Sequence, residues 1–170
     1  VLENTQAVTA YALKEVAQEF YRAGANYILT GESEQKIVAL FHALSRTGPL
    51  DQIRSLEGLG CREFFNPPAT VIDALDDLPL PAWDLFPLQN YWDLGFAHGP
   101  LTSKRYLPLL TSRGCPYPCR FCVVPSTNRQ KWRARSPKNV VDEIEYWINT
   151  LDVREFHIED LDPTISDERI

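Results

Sequence analysis

Prolines at positions 67, 68, 79, 81, 87 and 100 place the strongest limit on what this chain can fold into. Each removes a backbone donor and fixes φ, so no long helix or central strand can run through residues 66–100. The segment is nevertheless no solvated linker. Trp83, Leu85, Phe86, Tyr91, Trp92 and Phe96 are too apolar to remain in water. It is expected to lie as a strap along domain surfaces, dividing the 170 residues into two stretches of regular structure.

Before the strap, residues 7–23 are expected as one helix. Leu13, Val16, Ala17 and Phe20 recur at helical spacing, and Gly24 is a natural stop. Tyr27 to Thr30 reads as a short buried strand. Gly31 then turns the chain, Ser33 can cap, and Ile37, Leu40, Phe41 and Leu44 predict a second amphipathic helix ending before Gly48. Helix, strand, helix is the tail of an α/β domain. Ile53 to Phe65, broken by Gly58 and Gly60, is expected as a hairpin.

After the strap, Leu107 to Thr111 reads as a buried strand. Ser136-Pro137 is a cap and first-turn pair opening a helix through about Thr150, with Val140, Val141, Ile144, Trp147 and Ile148 on its apolar face. Glu155 to Ile158 alternates like a second strand and runs into Glu159-Asp160-Leu161-Asp162-Pro163. Strand, loop, helix, strand is a βαβ crossover, which implies a parallel sheet or barrel with ligand sites at the carboxyl ends of its strands. The four tryptophans, at 83, 92, 132 and 147, are expected to pack rather than to bind.

The chain holds no methionine and opens on Val1, so it is read as an internal piece of a longer protein. No apolar run is long enough for a bilayer, and the start carries no signal peptide. Residues 1–100 carry 6 basic and 13 acidic side chains, a net of −7; residues 101–170 carry 11 and 10, a net of +1. Arg113, Arg120, Arg129, Lys131, Arg133, Arg135 and Lys138 follow one another with no acid between them, a local charge able to meet an anion. For Arg133 and Arg135 a structural ion pair is the plainer expectation. The acidic first hundred residues speak against a nucleic-acid partner.

Chemistry enters with Cys115-x3-Cys119-x2-Cys122, placed between the strand at 107–111 and the helix at 137. Clustered thiols without a secretory signal point to a metal in a reducing, cytoplasmic setting. Thiolates are soft ligands suited to iron–sulfur clusters, zinc or Cu(I). A fully thiolate-bound [4Fe–4S] cluster takes four cysteines, and this loop supplies three, leaving one iron open. Residue types alone keep two alternatives. Zinc could recruit His157 into a Cys3His site, although the spacing is unusual for a knuckle and His157 sits mid-strand. An electron-transfer cluster could recruit Cys61, which otherwise reads as a small buried apolar residue. His42 and His98 show no ligand spacing.

Ser112-Arg113-Gly114-Cys115-Pro116-Tyr117-Pro118-Cys119-Arg120-Phe121-Cys122 resembles the CxxxCxΦC loop of the radical S-adenosylmethionine (SAM) superfamily. Further stretches resemble its branch with an N-terminal cobalamin-binding domain, which includes the anaerobic Mg-protoporphyrin monomethyl ester cyclase and radical methyltransferases. These stretches are Gly31-Glu32-Ser33-Glu34, the strap from Leu75 to Pro87, and Arg133-Ala134-Arg135-Ser136-Pro137 leading into Val140-Val141-Asp142-Glu143-Ile144. The resemblance implies an α/β chain in three parts. Residues 1–50 would be the remnant of a Rossmann-like cobalamin-binding-type domain, 51–106 a hairpin and proline-rich connector, and 107–170 the first βαβ unit of a partial TIM-type (β/α)6 barrel.

The same resemblance implies cofactors and roles. Cys115, Cys119 and Cys122 would ligate a [4Fe–4S] cluster whose open iron takes SAM; one electron then cleaves SAM, and the resulting 5′-deoxyadenosyl radical abstracts hydrogen from a small-molecule substrate. Phe121 would lie near the adenine, and Glu159 and Asp160 near the SAM amino group. Gly31 and Glu32 would lie near a cobalamin nucleotide tail, although the family's Asp-x-His-x-x-Gly motif is absent from these residues. An electron donor such as flavodoxin or ferredoxin is implied as partner. The implied reaction is methyl transfer or oxidative cyclisation at an unactivated carbon. The neighbouring branch of methylthiotransferases, acting on tRNA or a ribosomal protein, shares Phe121-Cys122-Val123-Val124-Pro125, but needs an upstream cysteine set where only Cys61 is available. A zinc or iron–sulfur binding module without catalysis is the alternative of another class.

Overall fold

The computed structural model describes residues 7–10, 14–45, 53–67, 71–125 and 130–169. The chain divides into two compact units, 1–72 and 73–170, so the expected connector at 51–106 is shared between them.

In the first unit, β1 (Ala7–Ala10), α1 (Lys14–Arg22) and β2 (Tyr27–Thr30) form a βαβ crossover with β1 parallel to β2, Ala7 opposite Tyr27. α2 (Glu34–Ser45) follows, and β3 (Leu59–Gly60) adds antiparallel to the other edge of β2. Ile28 and Leu29 are both fully buried, and successive strand residues face opposite sides. Ile28 packs with Ala17 and Tyr21 of α1, whereas Leu29 packs with Leu40 of α2, Ile53 and Leu59. One helix therefore covers each face, which is why this strand reads as an unbroken apolar run.

Two expectations need correction here. The helix expected over 7–23 begins at Lys14, and Ala7–Ala10 is a strand. No proline or glycine breaks residues 1–23, so nothing local stops a helix; the parallel edge of β2 decides otherwise. Val16 is 40% exposed, and Tyr21, which the expected face omitted, is buried; Leu13 lies outside the described residues. The hairpin over 53–65 shrinks to a turn in which Cys61 N donates to the Phe64 carbonyl and Gly60 bridges Phe65. Gly60 is obligatory at that crossing, because a Cβ there would stand 2.5 Å from the Phe65 ring and 2.9 Å from the Tyr21 hydroxyl. The end expected for α2 before Gly48 lies outside the described residues.

In the second unit the strap makes only short elements, as its prolines require. These are 3₁₀ turns at Leu75–Asp77 and Trp83–Leu85 and the helix α3 (Leu88–Leu94), closed by Gly95 at φ 61°. β4 (Tyr106–Leu109) and β7 (Glu155–Ile158) pair in parallel, Leu107 opposite Phe156, joined by α4 (Pro137–Leu151). Trp92 of the strap, Leu107, Trp147 and Val153 form the core, with Trp83 and Leu88 packed against it. The strap thus packs as expected, but only through part of its apolar set: Leu85 is 80% exposed and Phe96 75%. α4 opens as its sequence dictates, with the Ser136 side chain accepting from Asn139 N at 3.1 Å and Pro137 in its first turn. Its expected apolar face is only partly buried: Val141 is half exposed, while Glu143 is buried beside Trp147. The described 3₁₀ turn at Asp167–Arg169 follows the acidic segment.

Candidate functional site

The site lies at the carboxyl ends of β4 and β7. Glu159 N donates to the Leu109 carbonyl at 2.9 Å, carrying the ladder one residue past the strands. The chain then passes Thr111 and Ser112, both buried, into β5 (Ser112–Arg113), which pairs antiparallel with β6 (Arg133–Ala134). Gly114 follows at φ 88°, a conformation costly for any other residue, and swings the chain out of the strand. The thiols of Cys115, Cys119 and Cys122 all fall on the loop beyond it, stiffened by Pro116 and Pro118. Cys122 N donates to the Cys119 carbonyl at 3.1 Å, tightening the turn between the last two. Cys119 is exposed and the other two are half-buried; all three are free thiols.

The loop brings these thiols onto one short segment, but among the described residues no three His, Cys, Asp or Glu side chains are gathered closely enough to hold a metal ion. By chemistry the donor set fits an iron–sulfur cluster: three soft thiolates, with no histidine or carboxylate from the same loop to compete. Neither of the two alternative fourth ligands is offered freely. His157 Nε2 lies 2.7 Å from Glu155 Oε1, and the Cys61 thiol donates to Glu63 Oε2 at 2.8 Å inside the first unit's turn. Burial pushes the Cys61 thiol pKa up, as suits a packed residue.

The two carboxylates expected at the SAM amino group part company. Asp160 accepts from Thr111 N at 2.7 Å, Thr111 Oγ1 at 2.5 Å and Ser112 Oγ at 2.6 Å. It ties the two strand ends together. Among the described residues Glu159 pairs with the exposed His98, at 2.6 Å, and it lines cavities on the strap side of the sheet. One of these has a volume of about 310 Å³ and an aromatic wall that includes Tyr91, Trp92, Phe96 and Tyr106. His98, dismissed for want of ligand spacing, is therefore a neighbour of the site; no sequence pattern linked it to Glu159, 61 residues away. Phe121 is 93% exposed, and Tyr117, Val123, Ile158 and Leu161 are also exposed at this end. Glu155, one strand repeat below His157, accepts from Thr102 and Ser103 as well; the His157 contact is the main reason its carboxyl pKa falls to about 2.

Arg135 is a structural ion pair, as expected, with Nη1 2.5 Å from Glu143 Oε2. Arg133 is buried in β6. In the first unit Gly31 lies at φ 77° just past β2, with open space around it up to Lys36 Nζ. Glu32 is engaged: its Oε2 accepts from Ile72 N at 2.6 Å and its carbonyl from Lys36 Nζ at 2.6 Å.

No family model matches the chain. It is 32% identical over 143 residues to the anaerobic magnesium-protoporphyrin IX monomethyl ester cyclase of Cereibacter sphaeroides, covering 82% of this chain and 22% of the cyclase. An uncharacterized methyltransferase of Pyrococcus horikoshii is 31% identical over 140 residues, covering 82% of this chain and 28% of that protein. The cytidylyl-2-hydroxyethylphosphonate methyltransferase of Streptomyces wedmorensis is 35% identical over 96 residues, 56% of this chain and 18% of its own length. The chain thus spans 18% to 28% of the length of these relatives. Among solved structures, the radical SAM methyltransferase TsrM of Kitasatospora setae superposes with a TM-score of 0.60 at 20% identity, covering 88% of this chain and 28% of TsrM. That structure holds tryptophan and a SAM analogue, and another of TsrM holds cobalamin and a [4Fe–4S] cluster.

Over most of its length the chain is thus similar to the cyclase and to the Pyrococcus methyltransferase, and its fold is that of TsrM. Among the described residues no helix is long and apolar enough to cross a membrane.

Proposed function

We propose that this chain is the cluster-bearing part of a radical SAM enzyme that methylates or cyclises a small molecule at an unactivated carbon. The observation that carries the reading is the position of the three thiols: one loop, leaving the carboxyl end of β4 beside Glu159 at the end of β7. Parallel α/β units bind their ligands at that end.

In this reading Cys115, Cys119 and Cys122 hold the cluster, and the cofactors supply a one-electron cleavage of SAM that yields a carbon radical able to take hydrogen from substrate. The protein's own residues bind, orient and exclude. Glu159 is the acceptor for the SAM ammonium, since Asp160 is already committed to Thr111 and Ser112. Phe121, almost fully exposed on the loop, covers the adenine. Gly114 turns the loop out of the strand, Pro116 and Pro118 stiffen it, and its three thiolates would leave one iron without a protein ligand. Gly31, at the carboxyl end of β2, gives close backbone approach to cobalamin in the first unit. Glu32, already bonded to Ile72, shapes that turn instead of reaching a ligand. Residues 1–50, 51–106 and 107–170 are in this reading the end of the cobalamin domain, the connector and the start of the barrel. The free thiols suit a reducing, cytoplasmic setting with a flavodoxin or ferredoxin as donor.

The test is anaerobic reconstitution of the full protein with iron and sulfide, reduction, and EPR with and without SAM. A [4Fe–4S]⁺ signal that shifts on adding SAM is expected. Stoichiometric zinc, or a cluster indifferent to SAM and dependent on Cys61, would overturn the reading.

A further inference from the structure

Glu143 is 2% exposed on α4, and Arg135 is its partner. A buried ion pair is poor value for stability, because desolvation offsets most of the attraction and a well-packed apolar pair of equal volume commonly does as well. Its geometry suggests another use. Arg135 Nη1, besides facing Glu143 Oε2, donates to the Leu110 carbonyl at 2.9 Å. Its Nε and Nη2 donate to the side chain and carbonyl of Asn139, at 2.6 and 3.3 Å, and its backbone N donates to the Thr111 carbonyl at 3.0 Å. Trp147 Nε1 in turn donates to Glu143 Oε1 at 3.3 Å, from within the core. Arg135 therefore grips two successive carbonyls, those of Leu110 and Thr111, immediately ahead of the cysteine loop. Asp160 grips Thr111 and Ser112 through their donors. A cavity of about 200 Å³ flanks the same stretch, touching Leu110, Ser112, Arg135, Glu143 and Glu159.

We propose that Arg135 and Glu143 are positioning residues of the cysteine loop. Glu143, anchored by Trp147 in the core, fixes the guanidinium of Arg135, which holds the Leu110 carbonyl while the Arg135 backbone holds that of Thr111, and so sets the direction in which the stem runs from β4 toward Cys115. The proposal deepens the cluster-site reading and rests on it only for its consequence at SAM. Groups that orient metal ligands in this indirect way typically matter about ten- to a hundredfold in affinity or activity.

Three variants of the full protein test this: Glu143→Gln, Arg135→Lys, and Lys138→Ala on the exposed side of the same helix as control. In the metal-free protein, amide exchange at Thr111 and Ser112 should rise severalfold in the first two variants and stay unchanged in the control, with β4 and β7 still protected. After reconstitution, the SAM concentration needed to shift the EPR signal should rise about ten- to a hundredfold in both, with iron content near wild type. Unchanged exchange, or a looser stem with an unchanged SAM response, would overturn the proposal. So would unfolding of both variants, which would make the pair a stability element alone. If the wild-type cluster itself ignores SAM, the functional reading fails, and the exchange data decide the role of the pair without it.

Discussion

The two units are built on the same plan, a parallel βαβ crossover, and they use the carboxyl ends of their strands differently. In the first, the end of β2 and the chain beyond it are tied down by bonds within the unit: Glu32 to Ile72 and Lys36, and Thr30 to the Gly58 carbonyl. In the second, the chain beyond β4 and β7 carries three thiols, exposed apolar residues and a strand-end carboxylate paired with an exposed histidine. Its bonds include those of Asp160 to Thr111 and Ser112 at the stem of that loop. On a common scaffold, one strand end is thus bonded through Glu32 and Thr30 to residues 58 and 72, and the other leads into the cysteine loop.

The sharpest way to break this comparison is to remove a thiol. Serine at Cys115, Cys119 or Cys122 should abolish the reconstituted iron–sulfur absorbance, whereas Cys61→Ser, in a turn of the first unit, should leave it intact. Loss of the cluster on changing Cys61 would erase the distinction between the two strand ends. Next in size is the core of the second unit. Trp147→Ala should cost about 3–5 kcal/mol, measured by denaturant unfolding with amide exchange on β4 and β7 as the local readout. Gly60→Ala, which drives a methyl into Phe65 and Tyr21, should cost about 1–3 kcal/mol and loosen β2 and β3 instead. Ser136→Ala, removing the cap of α4, should cost about 1 kcal/mol in thermal melting.

The smallest effect is a pH dependence. The carboxyl of Glu155 has its pKa lowered to about 2 from the usual 4.5, mainly by His157. A carboxylate with a depressed folded-state value contributes stability above its ordinary pKa and loses it as pH falls toward the folded value. Melting temperature should therefore decline between about pH 4.5 and pH 2, and Glu155→Gln should flatten part of that decline. An identical profile in the variant would assign the acid sensitivity elsewhere.

How much of this was legible beforehand differs from element to element. Ser136-Pro137 marks the start of α4 because a cap and a first-turn proline act within one turn of the chain, and the structure agrees to the residue. Glu155–Ile158 was equally plain from its alternation. Residues 7–10 were not: Ala-Val-Thr-Ala has no strong preference of its own, and becomes a strand only because β2 presents an edge 20 residues later. The cysteine spacing was legible as a pattern, since thiols that share a loop lie close in the sequence. The division of labour between Glu159 and Asp160 left no such trace. Two adjacent acids look alike until the partners Thr111, Ser112 and His98 are brought in from 48 to 61 residues away.

By itself, then, the sequence determined what depends on near neighbours: the limits set by proline, the cap of α4, the strand at 155–158, and three thiols on one loop. Tertiary structure alone decided which strand end stays open, that Arg135 and Glu143 brace the stem of the loop, and that Trp83 and Trp92 of the strap join the core while Leu85 and Phe96 do not. The physical reason is range. Propensity, capping and ring constraints act over a few residues, whereas burial and charge pairing depend on groups that meet only once the chain has folded.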